Sequence, residues 1–213
     1  MVTVGSPRPS PRPTPRKRTP RAREIIATAR SLLEALGRDG LTMRRLGDGL
    51  GIRAASLYKH LDGRADLEVA LAETGLDEMG VALHAAVARS PEDPVPAVLG
   101  AYRATGLAHP ELYRLVTAGS FPRARLLPGL EAWAGEPFFL AVHEPYLAQA
   151  LWSFAHGTMI LELDRRFLDG SDPDRAWQAG AAAFDAARVA GRDTAHRARA
   201  SRQPPEARET AGG

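Results

Sequence analysis

Residues 41–71 constrain the fold of this chain more than any other stretch. Two short helical patterns lie there, one on each side of Gly51, and a third begins after Gly63. Each of the first two carries leucines four residues apart, at positions 46 and 50 and at positions 57 and 61, which places them on one face of a helix. Two short helices joined by a glycine-containing turn, the second small and polar on its outer side, are typical of a helix-turn-helix.

Several motifs of the chain resemble those of one family. The run GLTMRRLGDGLGIRAASLYKHLDGRADL resembles the DNA-binding region of tetracycline-repressor (TetR) type regulators, most specifically at Leu57-Tyr58-x-His60-Leu61 followed by Arg64 and Leu67. Weaker similarity lies in HPELYRLV and in WSFAHG, which resembles the Trp-x-x-x-His-Gly signature of one subgroup. The resemblance implies an all-α fold, with an N-terminal three-helix helix-turn-helix domain and a C-terminal α-helical domain for ligand binding and dimerisation.

The outer side of the helix-turn-helix supplies the candidate contacts to double-stranded operator DNA. Thr42 can cap the first helix and contact a phosphate, and Arg44 can contact a phosphate or pair with guanine. The resemblance implies DNA-backbone contacts from Tyr58, Lys59, His60 and Arg64. Base contacts are left to Arg53, Ala54, Ala55 and Ser56, together with Arg44 and DNA shape. Gly47 and Gly49 stand where helix formers are usual, each at a cost of about 1 kcal/mol, and predict a softer DNA-binding unit.

Charge divides the chain into a basic and an acidic part. Residues 1–70 hold 14 Lys and Arg against 7 Asp and Glu, a balance of +7, and residues 71–213 hold 14 against 18, a balance of −4, which together make the +3 of the whole chain. A basic segment at one end suits a module that meets a polyanion. Residues 1–20 contain six prolines and five cations with no acid, so we expect a disordered basic arm that either follows DNA phosphates or only keeps the protein soluble.

Composition argues against several classes of protein. No apolar run is long enough to span a bilayer and no secretory signal is present, so we expect a cytoplasmic protein without a membrane partner. The lack of cysteine removes disulfides and thiolate metal sites. The sequence contains no phosphate loop, no nucleophile elbow and no metal-binding histidine spacing, so we expect no catalytic activity, no metal and no cofactor.

We divide the chain into a helix-turn-helix domain at 21–72, a second helical domain at 73–190 and a disordered tail at 191–213. The resemblance implies that the second domain binds the effector and forms the dimer. Residues 64–88 read as one long helix that connects the two domains, whereas residues 121–143, with three prolines, read as the least regular part. The candidate ligand contacts are aromatic and polar residues of the second domain, namely Tyr102, His109, Tyr113, Phe121, Trp133, Trp152 and His156.

The last two helical patterns predict a homodimer. An apolar helix over 145–167 and an alanine-rich helix after Pro173 can form a four-helix interface across a two-fold axis. The candidate interface residues are Leu147, Leu151, Phe154, Thr158, Leu161, Trp177, Ala181 and Phe184. We therefore predict a dimeric transcriptional regulator, a repressor that an unknown small, largely apolar molecule releases from its operator. The alternative is a dimeric DNA-binding protein with no effector, and an enclosed cavity in the second domain would favour the first.

Overall fold

The computed structural model describes residues 9–117 and 121–200, with side chains described as far as residue 194. Within these residues the chain is all-α, as predicted, and no described helix is long and apolar enough to cross a membrane. The helices are α1 (Pro20–Gly40), α2 (Met43–Gly49), α3 (Ala54–Leu57), α4 (Arg64–Arg89), α5 (Pro94–Ala108), α6 (Pro110–Thr117), α7 (Leu130–Val142), α8 (Pro145–Leu163) and α9 (Pro173–Ala200), with a 3-10 turn at Arg123–Arg125.

The first three helices and the start of α4 share one hydrophobic core. Ile25 and Leu33 of α1, Leu46 of α2 and Leu57 of α3 are all fully buried in it, and Leu61 closes it from the turn that follows α3. Leu46, Leu57 and Leu61 are three of the four leucines that the four-residue spacing assigned to the inner faces, and the fourth, Leu50, is partly buried against the same core. The predicted three-helix core is therefore confirmed.

α4 continues without a break from this core into the second domain. Its Leu67 and Leu71 belong to the N-terminal core, whereas its Leu83 belongs to the C-terminal core, which lies among α5, α7, α8 and α9. Between them, Leu76 packs against Trp133 of α7 in a third cluster. The long connecting helix predicted at 64–88 is thus present. Because α4 contributes side chains to these three clusters, a movement of α4 would displace residues in each of them.

The segment predicted to be least regular contains a helix. α7 spans most of it and has Pro137 in its interior. A proline inside a helix removes the N–H that would bond to the carbonyl four residues earlier, which here belongs to Trp133. His84 of α4 donates from Nε2 to that carbonyl at 3.0 Å. The Trp133 carbonyl thus accepts a hydrogen bond from a neighbouring helix, and α7 continues through Pro137. The number of prolines had wrongly indicated an irregular segment here.

The structure also revises the prediction that the N-terminal arm and the C-terminal tail are disordered. Residues 9–19 form no helix or strand. They bind to α4 and α7, because their arginines and Ser10 form hydrogen bonds with carboxylates there. α9 continues to Ala200, into the predicted tail, because an alanine- and arginine-rich sequence retains high helix propensity. Residues 1–8 and 201–213, which belong to the predicted arm and tail, lie outside the described residues.

Candidate functional site

The two helices of the helix-turn-helix meet through a tight turn. α2 begins after Thr42, whose hydroxyl accepts a hydrogen bond from the Arg45 N–H at 3.2 Å, as predicted for a cap. Gly51 has a φ of 66°, a left-handed conformation that favours glycine. After α3, the N–H of Leu61 donates to the Leu57 carbonyl at 3.1 Å and extends the helical turn. We call residues 42–61 the reading head.

The reading head carries its candidate DNA-binding residues mostly on the exposed side. Arg44, Arg53, Ala55, Tyr58, Lys59 and His60 are exposed, whereas Thr42, Ala54 and Ser56 are partly buried. Within the part of the chain that the structure describes, the side chains of Arg44, Arg53 and Lys59 make no hydrogen bond or ion pair. Their charges are therefore available to phosphates, which supply much of the affinity for DNA.

Arg64 is different, because its guanidinium is already bound inside the protein. Its Nε donates to Glu68 at 2.9 Å and its Nη2 donates to the Arg38 carbonyl at 2.9 Å. Burial by itself would raise the pKa of the Glu68 carboxyl, but hydrogen bonds from Arg38 and Arg64 outweigh burial and hold that pKa below its usual range. The ionised carboxylate fixes the start of α4 against the end of α1, and a DNA contact by Arg64 stays a prediction.

Gly47 lies where α2 approaches the turn and the start of α3. A Cβ atom built on it would lie 2.8 Å from the Ile52 carbonyl oxygen and 3.1 Å from the Ala54 nitrogen. Both are backbone atoms, so no rotamer change relieves the contact. Gly47 therefore permits the two helices to meet, which corrects its interpretation as a softening residue. Gly49 differs, since the nearest atom there is Thr28 Cγ2 at 3.4 Å.

A cavity of about 650 Å³ lies in the second domain, with walls from α4, α5, α6, α7 and α8. Four of the predicted ligand residues line it, namely Tyr102, His109, Tyr113 and Trp152. The remaining wall is largely apolar and includes Met79, Leu83, Phe138 and Phe139. Sequence reasoning missed these four, because an apolar residue at a helical spacing gives the same signal whether it faces a cavity or a packed core.

A chain of hydrogen bonds supports the polar groups of the cavity. The Tyr102 hydroxyl lies 2.9 Å from the Tyr113 hydroxyl, which lies 2.7 Å from Nδ1 of His156. Burial raises the pKa of Tyr113 to about 12 and lowers the pKa of His156. The Trp152 ring stacks on the imidazole with the ring centres 5.8 Å apart. At neutral pH these groups are uncharged, so they offer hydrogen bonds without charge.

Three predicted ligand residues do not line the cavity. Trp133 belongs to the cluster beside α4 and stacks on His84, with the ring centres 4.8 Å apart. Phe121 lies in the same cluster, with the Arg123 guanidinium 5.0 Å from its ring centre. His156 stands behind Tyr113 and positions its hydroxyl. All three are aromatic or polar, but the fold directs Trp133 and Phe121 into packing and gives His156 a supporting hydrogen bond.

The charged side chains of the cavity wall have partners. Glu78 binds both terminal nitrogens of Arg30, at 2.5 and 2.8 Å, and Arg123 binds Glu131 and the Val116 carbonyl. Among the described residues, no group of three or more His, Asp or Glu side chains is arranged to hold a metal ion. The wall is therefore an apolar surface with neutral hydroxyls and compensated charges.

α6 belongs to the cavity and to the N-terminal core at once. Tyr113 and Val116 line the cavity, Leu115 is buried in the core beneath the reading head, and Leu112 belongs to both. The Glu34 carboxylate of α1 accepts from the backbone N–H groups at the start of α6, at 3.2 and 3.0 Å. Any displacement of α6 by a molecule in the cavity would therefore reach α1.

The predicted dimer residues lie mainly inside the single chain. Leu151, Thr158, Trp177 and Ala181 are buried, Leu147, Phe154 and Phe184 are partly buried, and Leu161 alone of the set is exposed. The bulky stripe of each helix packs mainly on its own domain, so most of these side chains are not available to a partner. The opposite faces are exposed and carry small residues, with Ala150, Ser153 and Gly157 on α8 and Ala179, Ala183, Ala186 and Ala190 on α9.

Known proteins are similar to this chain in sequence and in fold. No protein-family model matches the chain. An uncharacterized HTH-type transcriptional regulator of Mycobacterium tuberculosis is 30% identical over 155 residues, which cover 65% of this chain and 68% of that protein. A solved structure of a protein of unknown function from Rhodococcus sp. RHA1 is 28% identical and has a TM-score of 0.68, over 80% of this chain and 96% of the other. The TetR family protein ActR of Streptomyces coelicolor, solved in complex with (S)-DNPA, is 23% identical and shares the fold with a TM-score of 0.58, over 80% and 97% of the two chains.

Proposed function

This chain belongs to the helix-turn-helix (HTH) type transcriptional regulators, and on that premise we propose that it is a dimeric repressor of the TetR type, released from its operator when a small, largely apolar molecule fills the cavity. The main support for the proposal is that α6 lines the cavity on one side and packs in the core of the DNA-binding domain on the other. We also propose that the protein works in the cytoplasm, where a bacterial regulator meets its operator DNA.

The cavity favours a neutral ligand. Its volume of about 650 Å³ falls within the range of roughly 300–1,000 Å³ that holds drug-sized molecules. A charged ligand would have to displace Arg30 from Glu78 or Glu131 from Arg123, whereas an uncharged one needs only the hydroxyls of the Tyr102–Tyr113 pair. A molecule with an apolar body and one or two hydrogen-bonding groups therefore fits the wall best.

Release from DNA requires that the ligand prefer one arrangement of the two domains. A molecule that displaces Tyr113 and Val116 also moves Leu112 and Leu115, because all four belong to the same short helix. α1 follows through Glu34, and the reading head is packed on α1. In a dimer the two reading heads must span half-sites about 34 Å apart, so a small change in their separation prevents simultaneous docking.

We place the dimer interface on the exposed small-residue faces of α8 and α9. Ala179, Ala183, Ala186 and Ala190 recur at spacings of four, three and four, directly opposite the stripe that packs on the core. Small side chains let helices approach closely, and two such helices from each protomer make a four-helix interface. Ala183→Glu should give monomers in analytical ultracentrifugation, whereas Gln178→Glu, exposed on the flank of α9, should leave the dimer intact. A dimeric Ala183→Glu protein would place the interface elsewhere.

DNA recognition is tested by fluorescence anisotropy at several salt concentrations, with the duplex upstream of the gene and a random duplex of equal length. Arg44→Ala and Lys59→Ala should each weaken binding and reduce the slope of log affinity against log salt by about 1. Arg166→Ala removes the same charge from an exposed position outside the reading head and should leave the slope unchanged. Equal slopes for all three variants would exclude the reading head as the DNA-binding surface.

Ligand control is tested with a variant that occupies the cavity. A Cβ atom at Gly135 would meet no heavy atom within 4 Å, so Gly135→Phe can extend into the space without a backbone clash. Neutral apolar compounds that raise the melting temperature of the wild type should lower its operator affinity and lose both effects on Gly135→Phe. Compounds that stabilise the wild type without changing operator affinity would favour the DNA-binding dimer with no effector.

A further inference from the structure

Residues 9–19, which we call the arm, are fastened to the second domain by charge. The two oxygens of Asp77 accept from Nε and Nη2 of Arg12, at 2.7 and 2.5 Å. The Glu136 carboxylate accepts from the backbone N–H and the hydroxyl of Ser10, at 2.9 and 2.6 Å. The Arg12 guanidinium also lies 5.9 Å from the centre of the Trp133 ring. This end of the arm is therefore held by α4 and α7 together.

The other end of the arm converges on a single carboxylate. Arg16 donates to one oxygen of Glu73 at 2.8 Å and Arg18 donates to the other at 2.9 Å. The Glu73 side chain is only 11% exposed, and its remaining partner is the Leu127 N–H at 2.9 Å. A carboxylate this buried needs cations to offset its lost hydration, and the arm supplies two. We call Glu73, Asp77 and Glu136 the acidic face.

The same three arginines are the kind of residue that binds DNA phosphates. Arginine forms forked hydrogen bonds with carboxylate and phosphate alike, so the acidic face and a DNA backbone are competing partners. The arm leads directly into α1, which is capped by Thr19 and carries the reading head. The stretch from Arg12 to Thr19 can extend to roughly 24 Å, which lets a released arm reach DNA beside the head.

We propose that the acidic face is an autoinhibitory docking surface for the chain's own arm, and that operator DNA must compete with it for Arg12, Arg16 and Arg18. Docked, the arm contributes no phosphate contacts, and the DNA-binding surface is limited to the reading head. Released, it adds up to three cations to the complex. The inference goes beyond ligand control and rests only on DNA binding, so it can stand or fall independently of the cavity.

The neighbours of the acidic face connect the arm to the cavity. Glu78 follows Asp77 in α4 and Gly135 precedes Glu136 in α7, and both Glu78 and Gly135 line the cavity. A shift of α4 against α7 would therefore change the spacing of the carboxylates that the arm bridges. Docking of the arm is thereby sensitive to the same relative movement as the cavity.

The test removes the negative charge of all three carboxylates of the acidic face. The release variant is Glu73→Gln/Asp77→Asn/Glu136→Gln. The control is Glu92→Gln/Asp169→Asn/Asp193→Asn, which makes the same change in net charge at exposed positions away from the arm. The control is essential, because any loss of negative charge strengthens attraction to DNA. Limited trypsinolysis of the free proteins, followed by mass spectrometry, reports docking at the bonds after Arg16, Lys17 and Arg18.

The proposal expects faster cleavage of the release variant than of either the wild type or the control. It also expects tighter DNA binding, with a slope of log affinity against log salt steeper than that of the control by up to about 3, since each phosphate contact contributes about 0.9. Equal cleavage rates would show that the acidic face does not hold the arm. Faster cleavage with the slope of the control would show that the arm is a structural strap without influence on DNA, and would also overturn the proposal.

Discussion

Replacing Gly47 or Gly49 with alanine should have opposite effects, although both glycines lie in α2 two residues apart. Helix propensity alone favours alanine at both positions by about 1 kcal/mol. At Gly49 nothing opposes that gain, because the nearest atom to a new Cβ is a methyl carbon at 3.4 Å. At Gly47 the new Cβ would lie 2.8 Å from the Ile52 carbonyl oxygen, closer than real Cβ contacts.

The change in the free energy of unfolding follows from two opposing effects, the steric cost of the new Cβ atom and the gain in helix propensity. Forcing an extra carbon into a packed contact costs roughly 1–3 kcal/mol, and here the obstacle is the backbone of the turn, so the upper half of that range applies. Subtracting the propensity gain leaves Gly47→Ala less stable than the wild type by about 1–2 kcal/mol, whereas Gly49→Ala gains up to about 1 kcal/mol. For a chain of this size a difference of about 2 kcal/mol between the variants corresponds to roughly 4–8 °C in melting temperature.

Urea unfolding followed by circular dichroism measures the two free energies, and anisotropy with DNA measures the consequence. Gly47→Ala should also bind DNA more weakly, because relief of the clash must move α3 away from α2. Gly49→Ala should retain wild-type affinity. A Gly47→Ala protein as stable as Gly49→Ala, with equal DNA affinity, would refute the argument that α2 and the turn meet through this glycine.

Three further outcomes follow from the packing. Because the folded pKa of Glu68 is lowered, its stabilisation is complete above the unfolded value near pH 4 and is lost as the pH falls through the folded value. Glu68→Gln should thus have a lower free energy of unfolding than the wild type at pH 7, and the difference should be smaller at pH 3. Urea unfolding at both pH values measures the difference, and an equal difference at the two would contradict the argument. His84→Ala leaves the Trp133 carbonyl without a donor and should lower the free energy of unfolding by about 1–3 kcal/mol. His84→Gln keeps a donor and should recover part of that stability. Identical losses in the two variants would disprove the role of the hydrogen bond. Leu57→Ala removes a fully buried side chain and should cost about 2–5 kcal/mol, with a loss below 1 kcal/mol in the same assay as the contrary result.

Local interactions made the DNA-binding unit predictable. The cap at Thr42, the turn at Gly51 and the inward leucines at 57 and 61 depend on energies within a few residues of chain, so they leave a pattern in the sequence. The continuous α4 was predictable for the same reason. The exposed positions of Arg44, Tyr58 and Lys59 follow once the inner face is known, because a helix has only one opposite side.

The second domain required the tertiary structure. α9 has two regular stripes, and only its neighbours decide that the one containing Trp177 faces inward and the one containing Ala183 faces outward. Pro137 predicts a break, which a histidine from α4 prevents by bonding to the carbonyl that the proline leaves free. A proline-rich basic arm is extended wherever it lies, but its position depends on three carboxylates from two other helices. In each case the deciding partner is distant in the chain, and residue spacing carries no information about a partner that only folding brings into contact.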